Sequence, residues 1–294
     1  MKMKIVACLL SLVPLYAQAD TLERVRASNT LTLGYLPDFA PFSAQNGDQP
    51  TGYAIDLCDK IAGQVKATLN LAQLQVRYQP VRMADEISAV SRGQVDVLCT
   101  PTVATLERRQ QVSFSVPVYT AGLTAVVRQD APETLLNVLS GQQAHSGPTW
   151  RATLNRGLTN QTFAVVSGAV SEQWVRQQLR SLGVIATVIT VENNLAGLEA
   201  VAQGKANAFF SERMVLKNLL AGQGDGASLR LLEHIYEYAP VSMVLPRSDE
   251  AFRLLVDTVL SQMYRSGEIE QAYGRYLGGT TETIRKLFKL YALP

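Results

Sequence analysis

The sequence has few residues of the kinds that build metal centres. Its 294 residues include two histidines, His145 and His234, and three cysteines, of which Cys8 lies near the amino terminus. The remaining cysteines, Cys58 and Cys99, are far apart and do not follow the spacing of a zinc framework. No P-loop, nucleophile elbow or Ser-His-Asp order is evident. We therefore expect no metal, no cofactor and no catalytic residues.

Excess charge and long apolar runs are also missing. The chain has 27 Lys and Arg against 25 Asp and Glu, so it offers no bulk charge for holding nucleic acid or an anionic membrane. No stretch approaches the 18 or more apolar residues of a membrane-spanning helix. A hydrophobic content of 47% excludes a disordered chain. What remains is a globular protein of one large domain or two smaller ones.

The first 19 residues have the pattern of a secretory signal peptide. Lys2 and Lys4 form a basic start, Ile5 to Tyr16 is an apolar run, and Ala17-Gln18-Ala19 is a small-x-small cleavage site. We predict cleavage after Ala19 and export to the periplasm. Loss of the two lysines would lower Lys and Arg from 27 to 25, matching the 25 acids.

The two cysteines of the mature chain suit an oxidising compartment. Cys58 lies in a helical pattern and Cys99 ends a strand pattern. A disulfide between them is one interpretation. Two buried free thiols are the other, because cysteine is often a core residue.

Strand and helix patterns alternate through the mature chain. Apolar alternation predicts strands at 31–36, 76–81 and 95–99, with helical spacing from Ile55 to Leu69 and a helix at 83–92. A second strand and helix series runs from about 163 to 220, separated from the first by a partly helical insertion at about 130–160. This order predicts an α/β fold with mainly parallel sheets flanked by helices.

Four segments and the ending resemble a known family, the periplasmic solute-binding proteins of polar amino-acid uptake systems (family 3). In chain order they read PDFAPFSAQNGDQPTGYAIDLCDKIA (37–62), GQVDVLCTPTVATLERRQQVSFSVPVY (93–119), FAVVSGAVSEQ (163–173), GLEAVAQGKANAFFSERMVL (197–216) and FRLLVDTVLSQMYRSGEIEQAYGRYLG (252–278). The resemblance covers nearly all of the mature chain except about 130–160.

This resemblance implies a two-lobed periplasmic-binding-protein fold of type II that closes over a small ligand. It implies two hinge crossings, which we place near Tyr119–Leu123 and Tyr238–Ser242. Its partners would be the ligand and an ABC permease in the inner membrane, with the protein itself a monomer. The predicted division is a signal peptide at 1–19, lobe 1 at 20–120 and 240–294, and lobe 2 at 121–239 with the insertion at about 130–160.

Arg108 is the strongest candidate for ligand binding. Thr105 in TLER suits a helix N-cap, which places Arg108 in the first turn. A cation gains nothing from the helix dipole there, whereas a guanidinium matches a carboxylate in two parallel hydrogen bonds. A solvated surface arginine is the alternative. The family's carboxylate-binding arginine falls on Arg108, and this favours the binding role.

Four further positions follow from the resemblance. Phe39 and Tyr53 match the aromatic rings that sandwich the ligand side chain, although ordinary loop and core roles are the alternative for both. Val103 stands where the family has Ser or Thr. Leu36 stands where relatives for charged or amide ligands carry Asp or Arg, so a charged ligand side chain would be left unpaired there.

The second series carries the remaining candidates. Glu212 follows a predicted strand at the edge where open α/β sheets bind ligands. The family has Asp there, pairing with the ligand's ammonium, and a helix-terminal acid is the alternative. Gly168, Ala169 and Val170 replace the family's Gly-Thr-Thr before a helix, so only backbone amides remain to receive a carboxylate. Ser171 is a candidate helix cap.

We therefore predict binding of a small carboxylate-bearing ligand, an amino acid with an uncharged side chain, for delivery to an ABC permease. One alternative is an accessory protein that reports a ligand to a membrane receptor. The other is an enzyme resembling cyclohexadienyl dehydratase, with Glu212 as a general acid. The sequence leaves the ligand's identity and the choice between transport and sensing open.

Overall fold

The computed structural model describes residues 20–141, 157–222 and 228–294. The predicted signal peptide and residues 142–156 of the predicted insertion, with His145, Trp150 and Arg151, lie outside the described residues. The described part of the insertion begins with a helix, as expected.

The first part of the chain alternates strands with helices. Buried residues recur along α2 at helical spacing, and α2 ends where Asn70 adopts a left-handed conformation. The seven residues of β6 are almost all buried, which is typical of a central strand. The elements are α1 (Thr21–Ser28), β1 (Thr30–Tyr35), β2 (Asp38–Phe39), β3 (Ser43–Asn46), β4 (Gln49–Thr51), α2 (Tyr53–Leu69), β5 (Gln75–Pro80), a 3₁₀ turn (Met83–Asp85), α3 (Glu86–Ser91), β6 (Val97–Val103), a 3₁₀ turn (Arg108–Gln110) and β7 (Val112–Arg128).

The second part repeats the alternation and then returns to helices. Asn193 caps α6 and Asp249 caps α8, each by accepting a hydrogen bond from a main-chain N–H in the first turn. The elements are α4 (Glu133–Leu139), β8 (Thr162–Val166), α5 (Val170–Leu182), β9 (Thr187–Val191), α6 (Asn194–Ala202), β10 (Ala208–Glu212), α7 (Arg213–Ala221), β11 (Leu229–Leu231), β12 (Glu237–Pro246), α8 (Glu250–Ser266), α9 (Glu268–Leu277) and α10 (Glu282–Tyr291).

Within the described residues, nine strands form one continuous sheet in the order β5-β1-β6-β12-β7-β10-β8-β9, with β11 beside β7. Strands β5, β1 and β6 are parallel to one another, and so are β10, β8 and β9. The two central strands pair antiparallel with each other and with their outer neighbours. The parallel sheets expected for two lobes are therefore the two ends of a single sheet.

The long strands β7 and β12 connect those two ends. Their register pairs Tyr119 with Val241, Ala121 with Ala239, and Leu123 with Glu237. The two segments predicted as hinge crossings thus lie side by side. The lobe boundaries at residues 120 and 240 stay predictions.

Separate hydrophobic cores lie on either side of this pair of strands. The largest contains Leu31, Leu57, Val97 and Phe252, and packs α2 and α8 against the first parallel strands. Two others contain side chains of β8 and β10 together with α5 or α6. We call the first body lobe 1 and the second lobe 2. Met83 packs against the cores of both lobes.

A disulfide joins α2 to β6 inside the core of lobe 1. Cys58 and Cys99 have Sγ atoms 2.07 Å apart and Cα atoms 6.0 Å apart, and both residues are fully buried. The bridge closes a sequence separation of 41 residues, so it constrains the unfolded chain as well as the folded one. Of the helices formed by the described residues, none has the length and apolar composition needed to cross a membrane.

Candidate functional site

A cavity lies between the two lobes, beside the paired strands β7 and β12. Its volume is ≈ 140 Å³, and since one water needs about 10–15 Å³, it suits a ligand of amino-acid size. Its walls are mainly apolar. The lining residues are Leu36, Phe39, Met83, Glu86, Thr100, Pro101, Thr102, Val103, Arg108, Ala121, Gly122, Leu123, Ala169, Val170, Ser171, Trp174, Ser211, Glu212, Glu237, Ala239 and Val241.

Arg108 reaches this cavity from the 3₁₀ turn after β6. Its main-chain N–H donates to Thr105 Oγ1 at 3.2 Å. The predicted cap is nevertheless corrected, because the N-cap of this turn is Glu107 and not Thr105. The turn is a short 3₁₀ segment rather than an α-helix. Nη1 donates to the Val103 carbonyl at 3.2 Å, and Nη2 donates to the Gly168 carbonyl of lobe 2 at 3.3 Å. Arg108 therefore bridges the two lobes at one end of the cavity.

Glu86 is the ion-pair partner of Arg108. Its Oε1 lies 2.6 Å from Arg108 Nη2, and the two side chains are only 5% and 13% exposed. Its Oε2 accepts a hydrogen bond from the Thr102 hydroxyl at 3.2 Å. Burial raises the pKa of the Glu86 carboxyl, while Arg108 and Thr102 oppose that rise. A carboxylate of the protein itself thus contacts the guanidinium that is predicted to hold a ligand carboxylate.

The loop before α5 faces the same end of the cavity. Ala169 and Val170 line the cavity, whereas Gly168 lies in an adjoining recess with Ala84 and Arg108. The Gly168 N–H donates to Glu172 Oε2 at 3.2 Å, and the Ala169 N–H donates to the Val166 carbonyl at 3.2 Å. The expected cap is corrected here, because Ala169 is the N-cap of α5 and Ser171 lies within the helix.

Glu212 lies at the other end of the cavity, where β10 meets α7. Its Oε2 accepts from the Val215 N–H at 2.9 Å, and its Oε1 accepts from the Tyr119 hydroxyl at 3.4 Å. Glu212 is therefore the N-cap of α7 and a wall of the cavity at once. Burial raises the pKa of its carboxyl to about 7, although main-chain hydrogen bonds oppose the shift. Among the described residues, no cationic side chain forms an ion pair with it.

Aromatic and aliphatic side chains form the remaining walls. Phe39, at the end of β2, is buried and packs against Phe42 with ring centres 5.8 Å apart. Trp174, on α5, lines the cavity from lobe 2 and packs against Phe210 and Tyr236. Such rings provide apolar contact area to a ligand at a low entropy cost.

Tyr53 requires a correction, because it does not reach the cavity. Its side chain is fully buried in lobe 1, and its hydroxyl donates to the Val118 carbonyl at 2.7 Å. Its ring packs edge-on against Phe42 and Tyr273. As the first residue of α2, Tyr53 points into the core, which was the alternative reading of the sequence.

Leu36 and Val103 line the cavity as expected. Leu36 is 1% exposed and is held by its main chain, whose N–H donates to Thr100 Oγ1 and whose carbonyl accepts from Ser43 Oγ. Neither side chain offers a polar group to a ligand. Their neighbours Thr100 and Thr102 carry hydroxyls, but these are bonded within the protein.

Sequence reasoning missed Glu86, Trp174 and Tyr119. A signal existed for Glu86, because it follows β5 at the carboxyl end of a parallel strand, where open sheets bind ligands. Tyr119 belongs to the hinge segment that was predicted, but no role was given to its side chain. Within residues 20–141, 157–222 and 228–294, no group of three or more His, Cys, Asp or Glu could hold a metal ion.

The chain belongs to the bacterial extracellular solute-binding proteins, family 3, whose sequence pattern matches residues 31–279. Members of this family are extracellular binding proteins, and its curated relatives are named as amino-acid-binding proteins of import systems and ABC transporters. The fold is that of the type II periplasmic binding proteins. The class expected from the resemblance is thereby confirmed.

Two curated relatives illustrate the range of ligands. The L-glutamate/L-aspartate-binding protein of Pseudomonas aeruginosa is 26% identical over 276 residues, which is 92% of this chain and 85% of the relative. The L-cystine-binding protein TcyJ of Escherichia coli is 18% identical over 264 residues, covering 90% and 88% of the two chains.

Solved structures show the same fold. An ancestral amino-acid-binding protein, AncCDT-1, a precursor of cyclohexadienyl dehydratase, superposes with a TM-score of 0.70 at 24% identity. The match covers 88% of this chain and 99% of AncCDT-1. The cysteine-binding protein of Campylobacter jejuni gives a TM-score of 0.70 at 16% identity, covering 88% and 93%.

Proposed function

We propose that this protein binds an amino-acid-class ligand with an uncharged side chain in the cavity between its lobes and presents it to an ABC permease. The observation that carries the proposal is Glu212, a half-buried carboxylate without a cationic partner in the described structure, at one end of an apolar cavity. A ligand ammonium would supply the missing positive charge.

The charges around the cavity disfavour acidic ligands. Arg108 is the one cationic side chain among the described residues that line the cavity, and Glu86 already neutralises it. Glutamate or aspartate would bring two further carboxylates beside Glu86 and Glu212, where burial strengthens like-charge repulsion. The acidic ligands for which some relatives are named are therefore not expected in this cavity.

The uncharged side chain follows from the apolar walls. Leu36, Phe39, Val103 and Trp174 surround the space left between Arg108 and Glu212. A charged group buried among them would lack a hydrogen-bonding partner and would lose several kcal/mol. Apolar contact instead contributes about 25 cal/mol for each Å² removed from water.

A thermal-shift panel of the twenty amino acids on purified protein, unfolded and refolded to remove bound ligand, tests this proposal. A ligand at about a thousand times its Kd stabilises the fold by about 4 kcal/mol. We expect a response to neutral amino acids or their derivatives that is absent in Glu212→Ala. A response to glutamate or arginine alone would refute the proposal.

A second candidate function is acid catalysis at Glu212. A carboxyl pKa of about 7 near the Tyr119 hydroxyl suits a general acid, and AncCDT-1 is named as a precursor of a dehydratase. Turnover of prephenate or arogenate by the purified protein would support it. Binding of these compounds without turnover would contradict catalysis and leave binding as the only function of the cavity.

A further inference from the structure

The helix α10 contacts one of the two strands that connect the lobes. It follows the residues that match the family pattern, which end at residue 279. It packs against α8 in lobe 1 and against β7. The hydroxyl groups of Tyr291 and Thr120 form a hydrogen bond, with the two oxygens 2.7 Å apart. Because Thr120 pairs with Pro240 of β12, this contact lies where the two connecting strands are side by side.

The strand β7 is irregular just before this contact. Tyr119 pairs with Val241 of β12. The next residue of β12, Ser242, pairs with Pro117, so the register skips Val118. An extra residue of this kind bends a strand and interrupts its ladder of main-chain hydrogen bonds. The bend therefore depends on contacts from outside the sheet.

Tyrosine hydroxyls from three helices supply those contacts. Tyr53 of α2 donates to the Val118 carbonyl at 2.7 Å. Tyr264 of α8 donates to the Pro117 carbonyl, also at 2.7 Å. Tyr291 of α10 makes the third contact, two residues beyond Val118. The strand is thus restrained at its bend by α2, α8 and α10 together.

A second connection joins α10 to the cavity through aromatic rings. The ring of Phe288 in α10 is buried, and its centre lies 5.5 Å from that of Tyr273 in α9. The ring centre of Tyr273 lies 6.0 Å from that of Tyr119. These separations are within the range of favourable aromatic pairs. The Tyr119 hydroxyl donates to Glu212 Oε1 at 3.4 Å, so two rings connect α10 to a wall of the cavity.

The helix α10 is itself fixed to lobe 1. Phe288 belongs to the core of lobe 1. Arg285 Nε donates to Glu270 Oε1 at 2.8 Å. Shortly after the helix, the Leu293 N–H donates to Ser261 Oγ at 3.1 Å. A helix that is fixed to one lobe and also bonded to a connecting strand restrains that strand relative to the lobe.

We infer that α10 positions the connecting strand β7 for ligand binding, with Tyr291 and Phe288 as its positioning residues. Neither residue lines the cavity. Tyr291 acts through Thr120, and Phe288 acts through Tyr273 and Tyr119. The inference goes beyond the proposed function, because it holds for any ligand that the cavity binds between the lobes.

The position of these contacts along β7 gives them this effect. Closure of two lobes is absorbed by dihedral changes at a few residues of the connecting segments. Tyr291 contacts β7 within the segment Tyr119–Leu123 that is predicted as a hinge crossing. A contact at that place determines both the orientation of the strand as it enters lobe 2 and the reach of the Tyr119 hydroxyl towards Glu212.

Hydrogen exchange of the ligand-free protein, followed by mass spectrometry, tests the restraint on β7. We expect Tyr291→Phe to speed exchange in peptides that cover residues 117–123 by about fivefold, as for the loss of one hydrogen bond. Exchange in β8 and β9 of lobe 2 should not change. Thr120→Val removes the other hydroxyl of the same bond and should have the same effect. The double variant should be no faster than either single variant, because both delete one interaction.

Tyr276→Phe is the matched control. The Tyr276 hydroxyl of α9 donates to Asp56 Oδ1 of α2 at 3.0 Å. The substitution therefore removes one tyrosine hydrogen bond within lobe 1 without touching β7. It should leave exchange of residues 117–123 and ligand affinity unchanged.

Calorimetry tests the link to the cavity, with whichever of the twenty L-amino acids the unaltered protein binds most tightly. Tyr291→Phe should weaken its binding by about threefold to tenfold. Phe288→Leu, which keeps an apolar side chain but loses the ring, should do the same. In a Tyr119→Phe background, which lacks the hydroxyl that reaches Glu212, Phe288→Leu should cost less than about twofold, since the two residues act in one chain of contacts.

The outcomes decide each part of the inference. Unchanged exchange in residues 117–123 of both Tyr291→Phe and Thr120→Val would overturn the restraint on β7. Faster exchange with unchanged affinity would overturn the positioning role, and so would equal effects in Tyr276→Phe. Binding of a charged amino acid alone would refute the proposed function and leave these expectations as they are, because neither Tyr291 nor Phe288 contacts the cavity.

Discussion

The two ends of the cavity differ in how their charges are balanced. At one end, Arg108 contacts Glu86, the Val103 carbonyl and the Gly168 carbonyl, so its donors meet acceptors of the protein itself. At the other end, Glu212 accepts from Val215 and Tyr119 but pairs with no cation in the described residues. The difference teaches that a charged residue in a binding cavity is available to a ligand only when the fold leaves it without a counter-charge.

The largest effect expected from this comparison is on stability at the balanced end. Arg108→Ala should lower the free energy of unfolding by about 3–5 kcal/mol, because Glu86 would be left buried without its cation. The double variant Arg108→Met with Glu86→Met should recover most of that loss, since well-packed apolar groups replace the pair. Chemical denaturation of both variants measures this. A loss below about 1 kcal/mol for Arg108→Ala would show that Glu86 does not depend on Arg108 as its counter-charge.

The next effect concerns ligand binding at the unbalanced end. Glu212→Gln should weaken binding of an amine ligand by about 100-fold, because a buried charge pair contributes roughly 2–5 kcal/mol when one partner is truncated. Glutamine retains an oxygen that can accept from the Val215 N–H, so the cap of α7 survives. Calorimetry should therefore show lost affinity with little change in melting temperature. If the variant loses thermal stability as well as affinity, Glu212 acts only as a helix cap.

A dependence on pH should separate the two ends further. The Glu212 carboxyl has a pKa raised to about 7 by burial, so it loses its negative charge as the pH falls through that value. Affinity for an ammonium ligand should fall by about 30-fold between pH 8 and pH 5.5, at roughly tenfold per unit below the pKa. Titrations across that range, with Glu212→Gln as the variant expected to be flat, measure it. The same slope in both proteins would place the titrating group elsewhere.

The smallest effect tests whether the balanced end also controls closure of the lobes. Gly168 has φ of +78°, and an added Cβ would lie 3.1 Å from Ala84 Cα in the recess that adjoins the cavity. Gly168→Ala should therefore weaken ligand binding by about threefold to tenfold, in addition to a strain of about 1–2 kcal/mol. Calorimetry and melting curves measure both effects.

Gly183→Ala is the matched control for that variant. Gly183 also has a positive φ, +64°, but nothing lies within 4 Å of an added Cβ. It should lose stability to a similar extent and keep its affinity. Equal binding by the two variants would show that the contact between Gly168 and Ala84 has no part in closure.

Much of the fold follows from local pattern. The helical spacing from Ile55 predicted α2, and the apolar run from Val95 predicted the buried strand β6. The helix predicted at 83–92 is instead a 3₁₀ turn followed by α3. The sequence did not predict that the two parallel sheets join into one. That joining depends on the antiparallel pairing of β7 with β12, which are far apart in the chain.

The candidate site was predicted in part. The family resemblance was enough to predict Arg108, and the position after a strand supported Glu212; both residues line the cavity. This reasoning was not enough for Tyr53, because the first residue of a helix can face a ligand or the core with the same sequence pattern. Its hydrogen bond to Val118, 65 residues away, decides for the core.

The sequence by itself determined the class of protein, the alternating elements and the residues of opposite charge that face the cavity. Only the tertiary structure decided which of those charges a ligand can use. Glu86 and Arg108 belong to different turns, and Gly168 lies 60 residues further along. Electrostatic energy in a buried site depends on distances of a few ångströms, and such distances between remote residues are set by packing, which no local pattern encodes.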